Sequence, residues 1–491
     1  MFIINQNGVL FGPNAQVNVG GLIASSLDIK DSDFLAGRYT FFGKGGSVVN
    51  QGYISAPGGY VALLGSTVDN AGIIEADLGS VALASGELIT LNLDPEGIIS
   101  VVIDEETSEN LEGKDDAVKN TGKITAKGGK VILTAKTLDG IFKRAVNNEG
   151  IIEAKSLVGR KGEVVLSAAG EESVVSNTGT IDVSATEAGA GGGSIELSGG
   201  NLDLEKGVLK ATAEDGEVGR ILLDPWNWVV GDIQEFLFNS WGDVDIELTA
   251  GNNVDFILGN FGGDDTLNLN NLINGSFTVK AGRDINLNND SIVTQGGGIN
   301  LLADMPVIGW WGNPQDGIGN VNLGSGAGLN SNGGNINLSG VDINLSALVN
   351  AGSGDVMINA QNAILDGNDA DPNIIADNLS LSAVNGIGSG DALETQVNSL
   401  EASNTNNNIE IDNTGDLRIA NSGITNGSGD VNIGVHSDLV VDAAINTNYG
   451  DVNLSADGSI THTANGDVFT KRGNFTGNAA INGGNGGYTF E

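Results

Sequence analysis

From residue 48 onward the chain alternates apolar and polar positions with a period of two. The alternation is packaged in a unit that returns. One template is Val-x-Asn-x-Gly-x-Ile-x-Ala: Val48–Asn50–Gly52–Ile54–Ala56, then Val68 through Gly72 to Ala76, Val118 through Gly122 to Ala126, and Val146 through Gly150 to Ala154. A fifth copy runs from Val175 through Gly179 and ends in Val183. Each copy is followed by Gly-x-(Val/Ile)-x-Leu, ending at Leu63, Leu83, Leu133, Leu166 and Leu197. Such alternation places Val, Ile and Leu on one face and small or polar residues on the other, the mark of half-buried strands. The pair Asn-x-Gly is expected to supply a turn through residues that tolerate positive φ, which makes Gly52, Gly72, Gly122, Gly150 and Gly179 the turn glycines of the repeat. The segment between the two glycines lengthens in the last two copies while both strands persist, so it reads as an exposed turn.

After residue 240 the vocabulary changes and the grammar holds. Gly-(Asp/Asn)-(Val/Ile)-x-(Leu/Ile) recurs at Gly242, Gly319, Gly334, Gly354, Gly429 and Gly450, with Asn at outward positions such as Asn322, Asn337, Asn432 and Asn453. Clean neighbours lie about 20 residues apart, the length of one coil of a parallel β-helix; leucine-rich repeats need their own consensus and propeller blades about twice the length. The expected fold is all-β, a solenoid whose strands run parallel from coil to coil, with outward Asn stacked in ladders. Two stretches interrupt it: the charged Asp104–Asp116, an excursion from the surface, and Ile221–Trp241, with three of the five tryptophans. Asp232 is the candidate N-cap of a short helix there. The divisions are 1–95, 96–220 with the excursion at 104–116, the boundary segment 221–241, and 242–491.

Composition sharpens this. Gly is 76 of 491 residues while 40% are hydrophobic, so there is enough to bury and an unusual number of turns. The formal charge is −40, and beyond residue 220 the only basic residues are Lys280, Arg283, Arg418, Lys471 and Arg472. A polyanion of this kind is repelled by nucleic acid and by anionic membranes. Cysteine is absent, which suits equally a cytosolic protein, chance in a low-Cys composition, and an exported chain that must not form disulfides before crossing a pore. No stretch is long and apolar enough to span a bilayer as a helix, and no signal peptide precedes the repeats.

The start of the chain carries the most specific motif. Asn5-Gln6-Asn7-Gly8-Val9-Leu10-Phe11-Gly12-Pro13-Asn14-Ala15, extended by Val17-Asn18-Val19-Gly20-Gly21-Leu22-Ile23-Ala24-Ser25, resembles the signature of the filamentous haemagglutinin N-terminal domain, the secretion domain of two-partner secretion exoproteins. Leu222-Leu223-Asp224-Pro225-Trp226-Asn227 is similar to a segment common in such proteins. The resemblance implies a right-handed parallel β-helix. It implies an outer-membrane translocator barrel as partner, an extracellular or outer-membrane-associated location, and an adhesin or haemagglutinin-like role towards cells, glycans or surfaces. Family members carry a signal peptide and a capping first stretch before this motif, so the expectation is an N-terminally truncated chain with its cap missing. Asn5, Gln6, Asn7 and Gly8 are the secretion motif by resemblance. Asn at the first position and Gly at the fourth suit a type I turn, and Gln6 stands where the family has Pro.

Other chemistry is weighed against this. Glu75, Asp77, Glu87, Asp94, Glu153 and Asp182 lie on or near strands, as carboxylates do in β-helical polysaccharide lyases and hydrolases; that is the alternative function, and a decayed, non-functional fragment the second. Basic partners are scarce and the charges look like a solvated face, so the expectation is no enzyme. His436 and His462 read as surface residues, and Trp310-Trp311 or Trp226/Trp228 as packing aromatics or a sugar platform. Gly262-Gly263-Asp264-Asp265 and Gly483–Gly487 lack the tandem copies that calcium repeats need. No cofactor is expected, and calcium should bind surface carboxylates weakly, with no defined site. The receptor is not named by the residues.

Overall fold

A computed structural model of the chain describes residues 1–94, 99–110, 112–185, 187–204, 206–259, 265–306, 317–479 and 488–490; side chains at 232, 233 and 488–490 are not described. The chain divides into two compact units, one comprising Met1–Asn227 with Ser240–Thr249, the other Trp228–Asn239 with Ala250–Glu491.

The first unit is a parallel β-helix with three strands per coil. One sheet runs through Ser47–Asn50, Thr67–Asn70, Asp116–Asn120, Arg144–Asn148 and Val174–Asn177; a second through Tyr53–Ser55, Ile73–Glu75, Lys123–Thr125, Ile151–Glu153 and Thr180–Asp182; a third through Tyr60–Gly65, Ser80–Ser85, Lys130–Lys136, Glu163–Ala169, Ser194–Gly199 and Arg220–Pro225. The registers reproduce the repeat residue for residue. Val48, Val68, Val118, Val146 and Val175 stack in one column, Ile54, Ile74, Ile124, Ile152 and Ile181 in another, and Leu63, Leu83, Leu133, Leu166 and Leu197 in a third. All are at most 1% exposed. Each such side chain stabilises the fold by roughly 1.5–3 kcal/mol relative to exposure.

Not every strand runs parallel. Asp28–Ile29, Tyr39–Phe42, Leu88–Leu93 and Ile99–Glu105 form an antiparallel sheet. Its buried Ile29, Phe41, Ile89, Leu91, Ile99 and Ile103 pack on outward side chains of the third sheet, Ile23, Ala62, Leu64, Ala82, Ala84 and Ile132. That sheet is apolar on both faces, which explains the runs Val-Ala-Leu-Leu at 61–64 and Val-Ala-Leu-Ala at 81–84, and the antiparallel strands are what cover it. The charged excursion is correspondingly shorter than expected: 99–105 is strand and a strand resumes at Asp116.

In the second unit Val254, Ile285, Val321, Ile343 and Ile364 stack in one column and Ile336, Val356, Leu379 and Leu400 in another. Outward amides form ladders: Asn344 Nδ2 donates to Asn322 (2.6 Å), Asn322 to Asn286 (2.7 Å) and Asn286 to the Asp255 carboxylate (2.8 Å). Asn406, Asn385 and Asn362 descend likewise to Asp342, and Asn453 and Asn432 to Glu410. A carboxylate can only accept, so it fixes the direction in which every amide above it donates. The Asp or Asn after the repeat glycine has a second use. Asn335, Asp430 and Asp451 accept the backbone N–H of Asp355, Asp451 and Asn474 one coil on, at 3.0, 2.8 and 2.7 Å. The helix spans Asp232–Ser240, so Asp232 is its first helical residue and not its cap. The preceding Gly231 donates its N–H to Gln234 Oε1 (3.0 Å), half of a capping box.

Candidate functional site

The opening motif closes a turn. Gly8 N–H reaches the Asn5 carbonyl at 2.9 Å, and Asn5 Oδ1 accepts the Asn7 N–H at 3.1 Å. Gly8 has φ +110°, and a Cβ there would meet the Ser47 carbonyl at 2.8 Å, so glycine is needed twice over. Gln6 donates from Nε2 to Asp28 at 3.1 Å, and its carbonyl accepts the Gly46 N–H at 2.9 Å. The first of these bonds is one that proline could not make. The next turn, Gly12 to Ala15, is closed by a 2.9 Å backbone bond.

The repeat glycines sit at bends between strands, but for a different reason from the expected one. None of Gly52, Gly72, Gly122, Gly150 and Gly179 has positive φ. A Cβ on Gly72, Gly122, Gly150 or Gly179 would fall 2.0–2.2 Å from the carbonyl oxygen of the repeat glycine one coil before, and on Gly52 2.6 Å from that of Ala15. The coils approach too closely there for any side chain. Left-handed geometry falls instead at Gly58, Leu78 and Gly128, in the following turn.

The asparagine of the same template does more than turn the chain, although Asn50 Oδ1 also accepts the Gly52 N–H at 3.1 Å. Asn50, Asn70, Asn120, Asn148 and Asn177 are wholly buried. Each of the first four donates Nδ2 to the Oδ1 of the next, at 2.7–2.8 Å. A polar ladder thus runs inside the first unit, and no local signal marks it, because Asn before Gly reads as a turn.

The candidate acids are distributed along the coils. Glu75 accepts from Tyr53 Oη (2.6 Å), Asp77 from the Lys127 N–H (3.0 Å), Glu153 pairs with Lys123 (2.8 Å) and Asp182 with Lys155 (3.4 Å). Glu87 binds Ser108 beside Lys44, and Asp94 is exposed. Among the described residues no group of three or more His, Cys, Asp and Glu is arranged to hold a metal ion. Two carboxyls missed in the sequence have a raised pKa. Asp224 is pushed up to about 7 by burial and by Glu196 and Glu247, and Glu394 up to about 7 by burial and by Asp366.

His436 lies on the surface between two carboxylates, Nε2 3.2 Å from Asp412 and Nδ1 3.3 Å from Asp457; its bonds to Asp412 and then Asp457 raise its pKa. His462 is not a surface residue: it is 4% exposed, its Nδ1 2.7 Å from the Gly466 carbonyl. Trp228 is buried and offers no open ring face, and Trp226 is half-buried. Trp310-Trp311, Gly262–Asp264 and Gly483–Gly487 lie outside the described residues.

The comparisons with known proteins decide what the first unit is. The family model of the TPS secretion domain matches residues 1–183. Residues 1–183 are a TPS secretion domain. The matched stretch holds the opening turn, the antiparallel sheet and the Asn–Gly coils, and ends well past residue 95. Among curated proteins, the heme/hemopexin-binding protein of Haemophilus influenzae strain Rd is 30% identical over 178 residues, which are 34% of this chain and 19% of the relative. A second heme/hemopexin-binding protein of Haemophilus influenzae is 26% identical over 192 residues, 34% of this chain and 20% of the relative. The chain thus spans about a fifth of the length of the curated relatives it matches. The crystal structure of the HMW1 secretion domain from Haemophilus influenzae shares 21% identity, covering 77% of this chain and 73% of that one with a TM-score of 0.34. The fold assignment rests on the strand registers above. The secretion domain is what this chain shares with two-partner secretion exoproteins. Among the described residues no helix is long and apolar enough to cross a membrane.

Proposed function

We propose that this chain is exported by a cognate outer-membrane translocator of the two-partner pathway and acts outside the cell as an adhesin of the haemagglutinin type, attaching to a host cell, a glycan or another surface, without catalysis of its own. One observation carries the reading: the TPS secretion domain at residues 1–183 leads into further ladder-stitched coils. Supporting it, most of the candidate carboxylates are already engaged by a neighbouring side chain or backbone N–H. The relatives are named for binding heme and hemopexin, but the shared stretch is about a fifth of their length, so that activity is not carried over. The location proposed is the medium or the outer face of the outer membrane.

The test has two steps. The chain is expressed behind a cleavable export signal with and without a two-partner translocator, and surface and medium are probed for it. Beads coated with the exported chain are then incubated with cultured epithelial cells. Translocator-dependent appearance and saturable bead attachment are expected. Export without the translocator would remove the pathway assignment, and export without attachment would remove the adhesin.

A further inference from the structure

Two carboxyls of the second unit meet with no donor between them. Asp366 ends the strand Ile364–Asp366, and Glu394 lies at the start of the strand Leu393–Asn406. The two side chains are within hydrogen-bonding reach of each other. Asp366 Oδ2 and Glu394 Oε2 are both sealed from solvent, and neither has a hydrogen-bond partner. A sealed acceptor without a donor costs about 1–3 kcal/mol, and two carboxylates in such a contact cannot both stay ionised. One proton between them satisfies both oxygens at once.

The same pair fastens a loop. Residues 367–373 join Ile364–Asp366 to the strand Ile374–Ser382. Asp366 Oδ1 accepts the Asn368 N–H (3.0 Å) and the Asn373 amide (2.8 Å). Asn373 Oδ1 accepts the Glu394 N–H (2.8 Å), and the Asn373 N–H reaches the Glu394 carbonyl (2.8 Å). Asn373 is wholly buried, whereas Asp369, held at φ +58°, and Asp371 stand exposed. The surroundings are acidic. Asp366 and Asp391 are the charges that act on Glu394. Asp412 lies in register with it one coil on and is met by His436 Nε2 at 3.2 Å, while Glu410 accepts the Gly390 N–H at 3.0 Å.

We propose that Asp366 and Glu394 share one proton, and that this proton latches the 367–373 loop onto its coil. Once the proton leaves, two like charges meet at a sealed contact, and the loop that hangs on both residues lifts to admit water. Burial, and then the Asp366 charge, push the Glu394 carboxyl from 4.5 up to about 7, so the closed loop keeps a proton that the open loop releases. The latch is therefore at full strength below about 4.5, weakens as pH rises towards 7, and adds nothing further above it. The result is a surface loop closed in acid and loosened near neutrality. The proposal depends on neither export nor adhesion, and its failure would leave both readings untouched.

Hydrogen exchange of the full chain is followed at pH 5 and pH 8, each rate corrected for the intrinsic pH dependence of amide exchange. Protection of 367–373 should fall at least about tenfold from the lower to the higher pH, relative to the strand Ile336–Gly340 of the same unit. Glu394→Gln sets a permanent N–H against Asp366, and Asp366→Asn sets one against Glu394. In either variant the loop should be equally protected at both pH values, and if one variant does not fold the other decides. A loop equally protected at both pH values in the parent chain, or a fall that persists in the substituted chains, would overturn the proposal. So would calcium chloride that restores protection at pH 8 in the parent chain, since the sealed oxygens would then hold a cation and not a proton.

Discussion

Asn120 illustrates how far a single amide matters. It accepts from Asn70 and donates to Asn148, each at 2.7–2.8 Å, with no exposure at all. Truncation to Ala strands a donor below and an acceptor above, neither within reach of water. Asn120→Ala should therefore lower unfolding free energy by about 2–5 kcal/mol in a denaturant titration, several times the loss expected for an outward ladder residue such as Asn322. Titration adds a second residue-scale expectation. The folded pKa of Asp224 lies near 7, above its ordinary 3.8, so the folded chain holds a proton that the unfolded chain releases between those values. Stability then falls as pH rises from about 4 to 7, by on the order of a few kcal/mol, and is level outside that window. His436, also raised, acts in the same direction: its contribution is fully present below its unfolded pKa and is lost as pH climbs through the folded one. Thermal midpoints across pH 4–9 check both. Asp224→Asn should reduce the slope, Glu394, raised to about 7 as well, should keep part of it, and His436→Gln, at an exposed site, should remove only a small part near neutrality.

At the scale of the element, the glycine bends give the sharpest contrast. Gly122→Ala would place a methyl carbon 2.0 Å from the Gly72 carbonyl oxygen, between two backbones that cannot part without breaking the registers on either side. It should cost about 3 kcal/mol or more, whereas Gly20→Ala, whose Cβ meets nothing within 4 Å and whose φ is not positive, should stay within about 0.5 kcal/mol. Equilibrium unfolding of the two variants separates them. The same bends show what the sequence makes legible. The Val, Ile and Leu columns follow from period and spacing alone, because each position is fixed by its own strand's alternation. The antiparallel sheet does not: Leu88–Leu93 alternates as a coil strand would, and a period of two carries no information on direction. Its partner across the sheet, Tyr39–Phe42, lies nearly fifty residues away. Likewise the Asn–Gly pair has the local chemistry of a turn, and only the stacking of coils up to 50 residues apart turns the amide inward. The opening turn was legible from its own Asn and Gly, and its place in a secretion domain by resemblance.

Over the whole molecule charge is distributed as unevenly as structure. Residues 1–220 hold 30 acidic and 17 basic side chains, and residues 221–491 hold 32 and 5. The two parts should respond to salt in opposite senses. In the first, acids and bases pair between neighbouring coils, as in Lys123–Glu153 and Lys130–Glu163, and screening weakens such pairs, each worth about 0–1 kcal/mol at an exposed site. In the second, five basic residues can engage only a few of the 32 carboxylates, as Arg418 does Asp442. Since neighbouring coils are separated by about 4.8 Å and the Debye length is about 30 Å at 0.01 M salt against about 8 Å at 0.15 M, repulsion sums over several coils in dilute buffer and over few at physiological strength. The net of −40 makes repulsion the larger quantity, so the midpoint of thermal unfolding should rise between 10 and 150 mM NaCl. Hydrogen exchange at the two salt concentrations resolves where: protection should increase in strands such as Val431–Val435 and Val452–Ala456 and stay level or fall in Lys123–Thr125 and Ile151–Glu153. A midpoint that falls with salt would mean that the ion pairs of the secretion domain, and not the acidic coils, set the stability of the chain.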